Sequence, residues 1–419
     1  GENELVVLVW DPTYGIGAKG KQVFEPAGCN YTRMSGIWQT VWMEAVPEDH
    51  VRALRITPDF DNSEVHIEAE LCGDAPTFAH FGGESYALPA AIPVPDFEPW
   101  SPENPKLYGF TVSCGDDLIQ SYFAMRKFSV EKDSKGIMRL FLNNKPYFHN
   151  GVLDQGYWPD GLYTAPTDAA LCYDIEVAKA SGYNMLRKHI KVEPLRWYYH
   201  CDRLGMLVWQ DMPCGGGYYA KSVVTAPLFT GIHLPDSWYW LFGRGKAAGR
   251  EEFKAELKEM IRQLYNCPCI AMWVPFNEGW GQFDAFEIGN KIKETDPSRF
   301  VDHASGWHDQ KGPDFKSIHK YVFRVNAPTK RRTMGRPIVL SEYGGYQNTV
   351  SGHSWSESKS FGLYLKYKDK DELSKHYKSL HFDQVIPLIE KGLCATVYTQ
   401  VSDVENELNG IYTYDRKVL

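Results

Sequence analysis

Ile270-Ala271-Met272-Trp273-Val274-Pro275-Phe276-Asn277-Glu278 is an unbroken apolar run that ends on a carboxylate, and Pro337-Ile338-Val339-Leu340-Ser341-Glu342 repeats the arrangement. A run that is apolar throughout, rather than at alternate positions, suits a strand covered on both faces, as in a parallel sheet flanked by helices. Six further runs share this character: Pro146–Leu153, Tyr183–Ile190, Met206–Gln210, Phe300–His303, Ile318–Phe323 and Cys394–Thr399. Helical patterns fall between them. Leu171, Ile175 and Ala178 recur at helical spacing before Gly182, and Phe253, Leu257, Met260, Ile261 and Leu264 do the same. Eight strand–helix units over residues 131–419 predict a (β/α)8 TIM barrel. An open doubly wound sheet is the alternative, but no glycine-rich strand–turn–helix phosphate loop accompanies the strands.

Upstream of Lys132 the pattern changes. Leu5–Trp10, Ile37–Val46, Val51–Ile56, Val65–Leu71, Leu107–Cys114 and Leu118–Phe123 read as short strands punctuated by Pro, Gly, Asp and Asn. They predict a β-sandwich of roughly 80–100 residues ahead of the barrel.

Composition narrows the function. With 419 residues and 43% hydrophobic content, the chain can bury two or three domain cores. A formal charge of −8 argues against nucleic acid or an anionic membrane surface as partner. No apolar run approaches the roughly 20 residues of a membrane span, and Gly1-Glu2-Asn3-Glu4-Leu5 lacks the basic start of a signal peptide. The compartment stays open between cytoplasm and periplasm. The nine cysteines are odd in number and scattered, with Cys267 and Cys269 forming only a C-x-C pair, so reduced structural thiols are expected. The 13 Trp and 25 Tyr suit carbohydrate binding, because pyranose faces stack on aromatic planes, although large cores also use aromatics.

Function in a TIM barrel sits where strands end at the C-terminal face. Glu278 and Glu342 end the fourth and seventh candidate strands. A charge after a buried strand is costly without a purpose. Retaining glycosidases need two such carboxyls roughly 5–5.5 Å apart, one protonated and one ionised. The plain alternative is a pair of solvated strand caps.

Asn277-Glu278-Gly279-Trp280 resembles the Asn-Glu element of clan A glycoside hydrolases, and Ser341-Glu342-Tyr343-Gly344-Gly345 resembles their nucleophile strand. Pro99-Trp100-Ser101-Pro102-Glu103-Asn104-Pro105 and Tyr122-Phe123-Ala124-Met125-Arg126-Lys127 are similar to the sandwich domain of glycoside hydrolase family 2. Gly20-Lys21-Gln22 and Ser35–Trp42 resemble the end of that family's N-terminal jelly-roll. The resemblance implies the C-terminal part of a jelly-roll over 1–46, an immunoglobulin-like β-sandwich over 47–130 and the catalytic barrel over 131–419. It also implies the activity of a retaining β-glycosidase, β-galactosidase-like first, with other neutral β-hexosidases and a non-catalytic carbohydrate-binding protein as rivals.

Carried across residue by residue, the resemblance makes Glu278 the acid/base and Glu342 the nucleophile. Asn277 is to hold the sugar 2-hydroxyl and Tyr321 to hydrogen-bond the nucleophile. Tyr398 falls where relatives place a tryptophan platform. Trp307 is either a sugar-stacking wall or packing under a loop. His189 lies near a histidine that relatives use for hydroxyls, one residue out of register, and a structural role competes. Asp154 and Gln155, after strand one, are expected to line the mouth or to be plain solvated polars.

Cys214-Gly215-Gly216 stands where many galactosidases carry a magnesium site, so neither metal nor cofactor is expected. Glu407-Leu408-Asn409-Gly410 stands where glucuronidases carry a cationic clamp, and Glu407 there would repel a uronate. Cys214–Arg250, rich in aromatics, reads as a wall of the substrate site or as a packed insertion. Strand eight is not followed by its helix before Leu419, so the protein is expected to continue at both ends. The outer faces of Pro146–Leu153 and Cys394–Thr399 should then be exposed, unless the N-terminal segment or a neighbouring subunit of a homo-oligomer covers them.

Overall fold

The computed structural model describes residues 4–11, 14–326, 333–356, 361–362 and 364–419. Up to residue 46 the described chain makes one pair of two-residue parallel strands, β1 (Gln22–Val23) and β2 (Tyr31–Thr32). The expected strands Leu5–Trp10 and Ile37–Val46 do not form, and Leu5, Leu8, Trp10, Trp42 and Met43 are exposed. An apolar run becomes a strand only where a neighbour accepts its backbone hydrogen bonds, and these runs have no such neighbour among the described residues. Among the described residues up to 46, no sheet beyond this two-stranded pair forms.

Seven antiparallel strands follow: β3 (His50–Asp59), β4 (Glu64–Cys72), β5 (Thr77–Phe81), β6 (Glu84–Ala87), β7 (Ala90–Pro93), β8 (Tyr108–Cys114) and β9 (Asp117–Phe123). They form two sheets in the orders β3-β4-β7 and β6-β5-β8-β9. Ile56, Val65, Ile67 and Ile92 of the first sheet share one core with Ala79, Phe110, Val112 and Phe123 of the second. The short runs punctuated by Pro, Gly, Asp and Asn correspond to β3, β4, β8 and β9. Strands β5 to β7 are four or five residues long, too short for a period of two to stand out. Trp100 joins this sandwich to the barrel: it is fully buried, and its indole donates to the Asp202 carbonyl at 2.8 Å.

The hairpins β10 (Phe128–Lys132), β11 (Met138–Leu142) and β12 (Lys145–Pro146) lead into the barrel. Its strands are β13 (His149–Asp154), β14 (Met185–Lys188), β15 (Leu207–Asp211), β16 (Ile270–Val274), β17 (Phe300–Val301), β18 (Lys316–Lys320), β19 (Ile338–Gly344) and β20 (Leu393–Thr399). They form one curled sheet, all parallel, in the order β17-β16-β15-β14-β13-β20-β19-β18. All eight apolar runs are represented. The sixth strand begins earlier than its run, at Lys316, and the seventh extends through Glu342 to Gly344.

Helices Asp168–Ala180 and Ala247–Leu264 carry the two predicted helical patterns and bury Leu171, Ile175 and Ala178 in one case and Phe253, Leu257 and Ile261 in the other. Thr167 starts the first by accepting from the Ala170 amide at 3.1 Å, which satisfies one of the free donors of a helix start.

The outer faces of strands one and eight are not open as expected. All of β20 and all but Asn150 of β13 are buried by this chain's own residues. Arg139 of β11 donates to the Leu393 carbonyl at 3.2 Å, and Tyr377, on the helix Lys370–Ser379, packs on Tyr398 with ring centroids 5.0 Å apart. The C-terminal stretch folds back as well: the Tyr412 hydroxyl donates to Asp174. A groove of about 720 Å³ remains between Tyr183, Leu373, Tyr377, Tyr398 and Tyr412. The physical reason is that apolar outer faces are covered by whatever elements can reach them, here the β11 hairpin and the helix Lys370–Ser379.

Candidate active site

Arg187 organises the mouth of the barrel. It lies in β14, fully buried, and reaches across the interior to three other strand ends. Nε and Nη2 meet both oxygens of Asp211 at 3.0 Å, Nη2 also meets Asn277 Oδ1 at 2.9 Å, and Nη1 meets the Ser341 carbonyl and Glu342 Oε1, each at 3.0 Å. A buried guanidinium needs such a set of acceptors, because a buried charge left unpaired is strongly destabilising. Arg187 only donates, so its contact fixes the Asn277 amide with oxygen towards the arginine. The Asn277 NH2 has no partner among the described residues.

Glu342 receives a second clamp from Tyr321, whose hydroxyl donates to Oε2 in a very short hydrogen bond. Burial and the carboxylates of Glu342 and Glu278 hold the Tyr321 phenol far above its ordinary pKa, so it stays a donor. Burial alone would raise the pKa of Glu342. The charges of His319 and Arg187 and the Tyr321 hydrogen bond outweigh it and hold the carboxyl well below the usual range. Glu342 is therefore a fixed, ionised carboxylate.

Glu278 is placed differently. It stands four residues past the end of β16, with φ at +50°, and its amide donates to the Ser305 carbonyl at 2.9 Å. A glutamate in the left-handed region carries strain of the kind found at functional sites. Gly279 follows at φ +75°, where a Cβ would come within 2.6 Å of the His308 ring, so only glycine fits this turn. The Glu278 side chain is 15% exposed, and its carboxyl Oε1 lies 2.8 Å from His319 Nδ1. The same Nδ1 is 3.8 Å from Glu342 Oε2. Carboxyl oxygens of Glu278 and Glu342 thus lie within 4.8 Å of each other, with His319 beside both.

The other expected residues divide. Trp307 is buried against His319, ring centroids 5.4 Å apart, and its indole N–H has no partner among the described residues. His189 shares Asp211 with Arg187 through Nδ1 at 2.7 Å; burial, with Lys21 and Arg187 near, keeps its imidazole neutral. Gln155 is buried with neither amide atom bonded among the described residues. Two expectations are corrected. Tyr398 faces outward, against Tyr343, Tyr377 and His381, because side chains alternate along β20 and it is Thr399 whose Oγ1 lies 3.5 Å from the Tyr321 hydroxyl. Asp154 does not line the mouth: Lys188 holds Oδ2 at 2.7 Å and the Gly156 amide holds Oδ1 at 2.9 Å, within a cluster with Glu193 and Lys191.

Sequence reasoning missed Arg187, Asp211 and His319. A signal existed for two of them. Arg187 directly follows the apolar pair Met185-Leu186 of a candidate strand, and His319 precedes Tyr321 by two, so both side chains share one face of the strand. The ladder between β18 and β19 slips between Ile318 and His319, which sets His319 opposite Glu342, and no sequence pattern announces that.

Metal-ligand spacing occurs in two places among the described residues: Asp168, Cys172 and His200 on the outside, and Glu278, His319 and Glu342 at the mouth. At the position compared with a magnesium site, the Cys214 carbonyl instead accepts from the Lys19 and Gly20 amides at 2.8 and 2.9 Å. All nine cysteines are free thiols, and no helix among the described residues is long and apolar enough to cross a membrane. Glu407 is buried and engaged: it accepts from the hydroxyl of Tyr31 in a very short bond, from that of Tyr364 at 3.3 Å and from the Asn409 amide at 3.2 Å. The aromatic segment contributes Cys214, Tyr219 and Val224 to an apolar cluster with Trp280, Ile190 and Cys29 beside the mouth.

Comparison with known proteins adds the following. Residues 135–418 match the family described as glycosyl hydrolases family 2, TIM barrel domain. A β-galactosidase of Klebsiella pneumoniae is 25% identical over 395 residues, covering 82% of this chain and 35% of the relative. The chain thus spans about a third of the length of the curated relatives it matches. Among solved structures, the β-D-glucuronidase of Dictyoglomus thermophilum superposes with a TM-score of 0.66 at 15% identity, covering 89% of this chain and 67% of that one. A β-glucuronidase of Ruminococcus gnavus in complex with uronic isofagomine gives 0.70 at 18% identity, covering 92% and 69%.

Proposed function

This chain belongs to glycoside hydrolase family 2, and on that premise we propose that it is a retaining β-glycosidase acting on neutral β-hexosides, β-galactosides foremost. The observation that carries the reading is the paired carboxyls of Glu278 and Glu342, with oxygens within 4.8 Å. A retaining pair stands roughly 5–5.5 Å apart, whereas an inverting pair stands about 6.5–9.5 Å apart to admit a water.

Glu342, ionised and fixed by Arg187 and Tyr321, attacks the anomeric carbon and forms a glycosyl-enzyme. Glu278 gives its proton to the leaving oxygen, then takes a proton from the water that releases the sugar. The free NH2 of Asn277 donates to the 2-hydroxyl, and Trp307 forms an aromatic wall beside His319. The Cys214–Arg250 segment walls the same side through Tyr219. Around the barrel, the reading includes an immunoglobulin-like sandwich over 47–130, supported by its three- and four-stranded facing sheets. For a jelly-roll remnant in 1–46 the support is sequence resemblance alone.

A panel of nitrophenyl β-glycosides, with product anomers followed by NMR, tests the reading. First-formed product of retained configuration, with galactosides turned over faster than glucuronides, is expected. No turnover of any β-glycoside would leave a carbohydrate-binding role instead.

A further inference from the structure

Lys21, from the N-terminal segment, lies near this mouth and feels the charges of Glu342 and Glu278. Its turn is pinned from several sides. Ala18 bridges Gly215, the Lys19 and Gly20 amides donate to the Cys214 carbonyl, and the Tyr31 amide donates to the Lys21 carbonyl at 2.9 Å. Gly20 sits at φ +62°, where a Cβ would come within 2.9 Å of the Tyr163 hydroxyl and 3.0 Å of the Ile190 carbonyl, so no side chain fits. These contacts deliver the Lys21 side chain between two aromatic rings, with Nζ 5.5 Å from the centroid of Tyr31 and 5.7 Å from that of Trp280.

Trp280 is two residues beyond Glu278. Tyr31 donates to Glu407, Glu407 accepts from Tyr364, and Tyr364 packs on Tyr321 with centroids 4.9 Å apart. Tyr321 in turn holds Glu342. Lys21 therefore lies close enough to the carboxyl pair to feel the charges of Glu342 and Glu278.

Only 6% of Lys21 is exposed, yet its ammonium has no hydrogen-bond or ion-pair partner among the described residues. An ammonium carries three donors, and a buried polar group without acceptors is costly. Burial works to discharge it, but the carboxylates of Glu407, Glu342 and Glu278 prevail and keep it charged. A charged donor is thus held between the Tyr31 and Trp280 rings with its hydrogen bonds unmade among the described residues.

We propose that Lys21 is a substrate-contacting, specificity-determining residue whose ammonium donates to a ring hydroxyl of a neutral sugar, with Glu407 as its counter-charge. The inference rests on the glycosidase reading above and extends it to a contact made from outside the barrel. A neutral hydroxyl, rather than a sugar carboxylate, is the assigned acceptor because three carboxyl groups already surround the cation. A fourth anion beside Glu407 would meet repulsion in a poorly solvated site.

The experiment compares the full chain with Lys21→Met and Lys21→Arg on nitrophenyl β-galactoside and its 2-, 3-, 4- and 6-deoxy analogues. Thermal melting of each variant shows whether the segment stays seated. Losing a hydrogen bond to a charged donor should lower kcat/KM of Lys21→Met about 10- to 100-fold on the parent sugar. One deoxy analogue should cost the original protein a similar factor and cost Lys21→Met nothing more, while the others cost both proteins equally. Lys21→Arg, which keeps the charge, should retain sensitivity to that one hydroxyl even if Lys21→Met melts early. Unchanged kcat/KM in Lys21→Met, or equal sensitivity of both variants and the original to all four analogues, overturns the proposal. A uronide preferred by the original protein, with the preference lost in Lys21→Met, overturns the neutral assignment in favour of a carboxylate. Failure of the original protein to cleave any β-glycoside defeats the underlying reading itself, whereas turnover indifferent to Lys21 defeats this inference alone.

Discussion

The ends of β16 and β19 each present a glutamate, and the two are held in opposite ways. Glu342 lies within its strand, with a side chain 5% exposed, an arginine on one oxygen and a tyrosine hydroxyl on the other. Glu278 lies beyond its strand in a left-handed turn, three times as exposed, with His319 as its only side-chain contact among the described residues. On the proposed reading, the difference teaches how one site can separate two roles for the same residue type. A nucleophile must stay charged and stationary, which a buried hydrogen-bonded carboxylate does. A proton donor must be able to carry and release a proton, which a lightly held, partly open carboxyl can do.

The widest test of that contrast is removal of the proposed nucleophile. Glu342→Gly should lower turnover of every glycoside by about 10⁴-fold or more, and azide should restore activity with an α-glycosyl azide as product. Retention of activity without azide would break the assignment of roles. Glu278→Ala should instead discriminate, losing about 10²- to 10⁴-fold on substrates with poor leaving groups and much less on activated aryl glycosides in the glycosylation step. Equal losses on both substrate types would remove Glu278 from the donor role.

A third test addresses the support rather than the pair. Arg187→Met leaves Asp211 and Glu342 buried without their cation, so chemical denaturation should show a stability loss of about 3–5 kcal/mol. Tyr321→Phe removes one hydrogen bond to a charged group, and kcat should fall about 10- to 100-fold with the fold intact. If Glu342 were as loosely held as Glu278, neither change would have these effects.

The smallest effect is in pH. The folded-state pKa of Glu342 lies below its unfolded value. Its ionisation therefore stabilises the fold at pH above the ordinary glutamate range, and that contribution is lost as pH falls through the lowered folded value. The acid limb of kcat/KM should accordingly lie below pH about 4.5, the ordinary glutamate region. Tyr321→Phe should move that limb upward, by less than about one pH unit. A limb that does not move would mean that Arg187 and His319 alone set the charge of Glu342.

What the sequence determined by itself was the barrel and its acidic strand ends. Continuous apolar runs separated by helical periods have no other economical solution than a parallel sheet covered on both faces. The C-terminal ends of those runs then locate Asn277, Glu278 and Glu342 without any knowledge of contacts. The tertiary structure alone decided which neighbours those residues have. Arg187 acts on Asp211, Asn277 and Glu342 from a different strand, and the slip beside His319 exists only once β18 meets β19. A shift of one residue exchanges the faces of a strand, which is why Thr399 and not Tyr398 reaches Tyr321. The stretches Leu5–Trp10 and Ile37–Val46 look like strands and form none, while Lys21, read in sequence only as part of a domain-end motif, sits between Tyr31 and Trp280. Local pattern sets what a segment can become, but pairing, register and the source of each pocket wall are non-local, and only the folded chain brings those partners within reach.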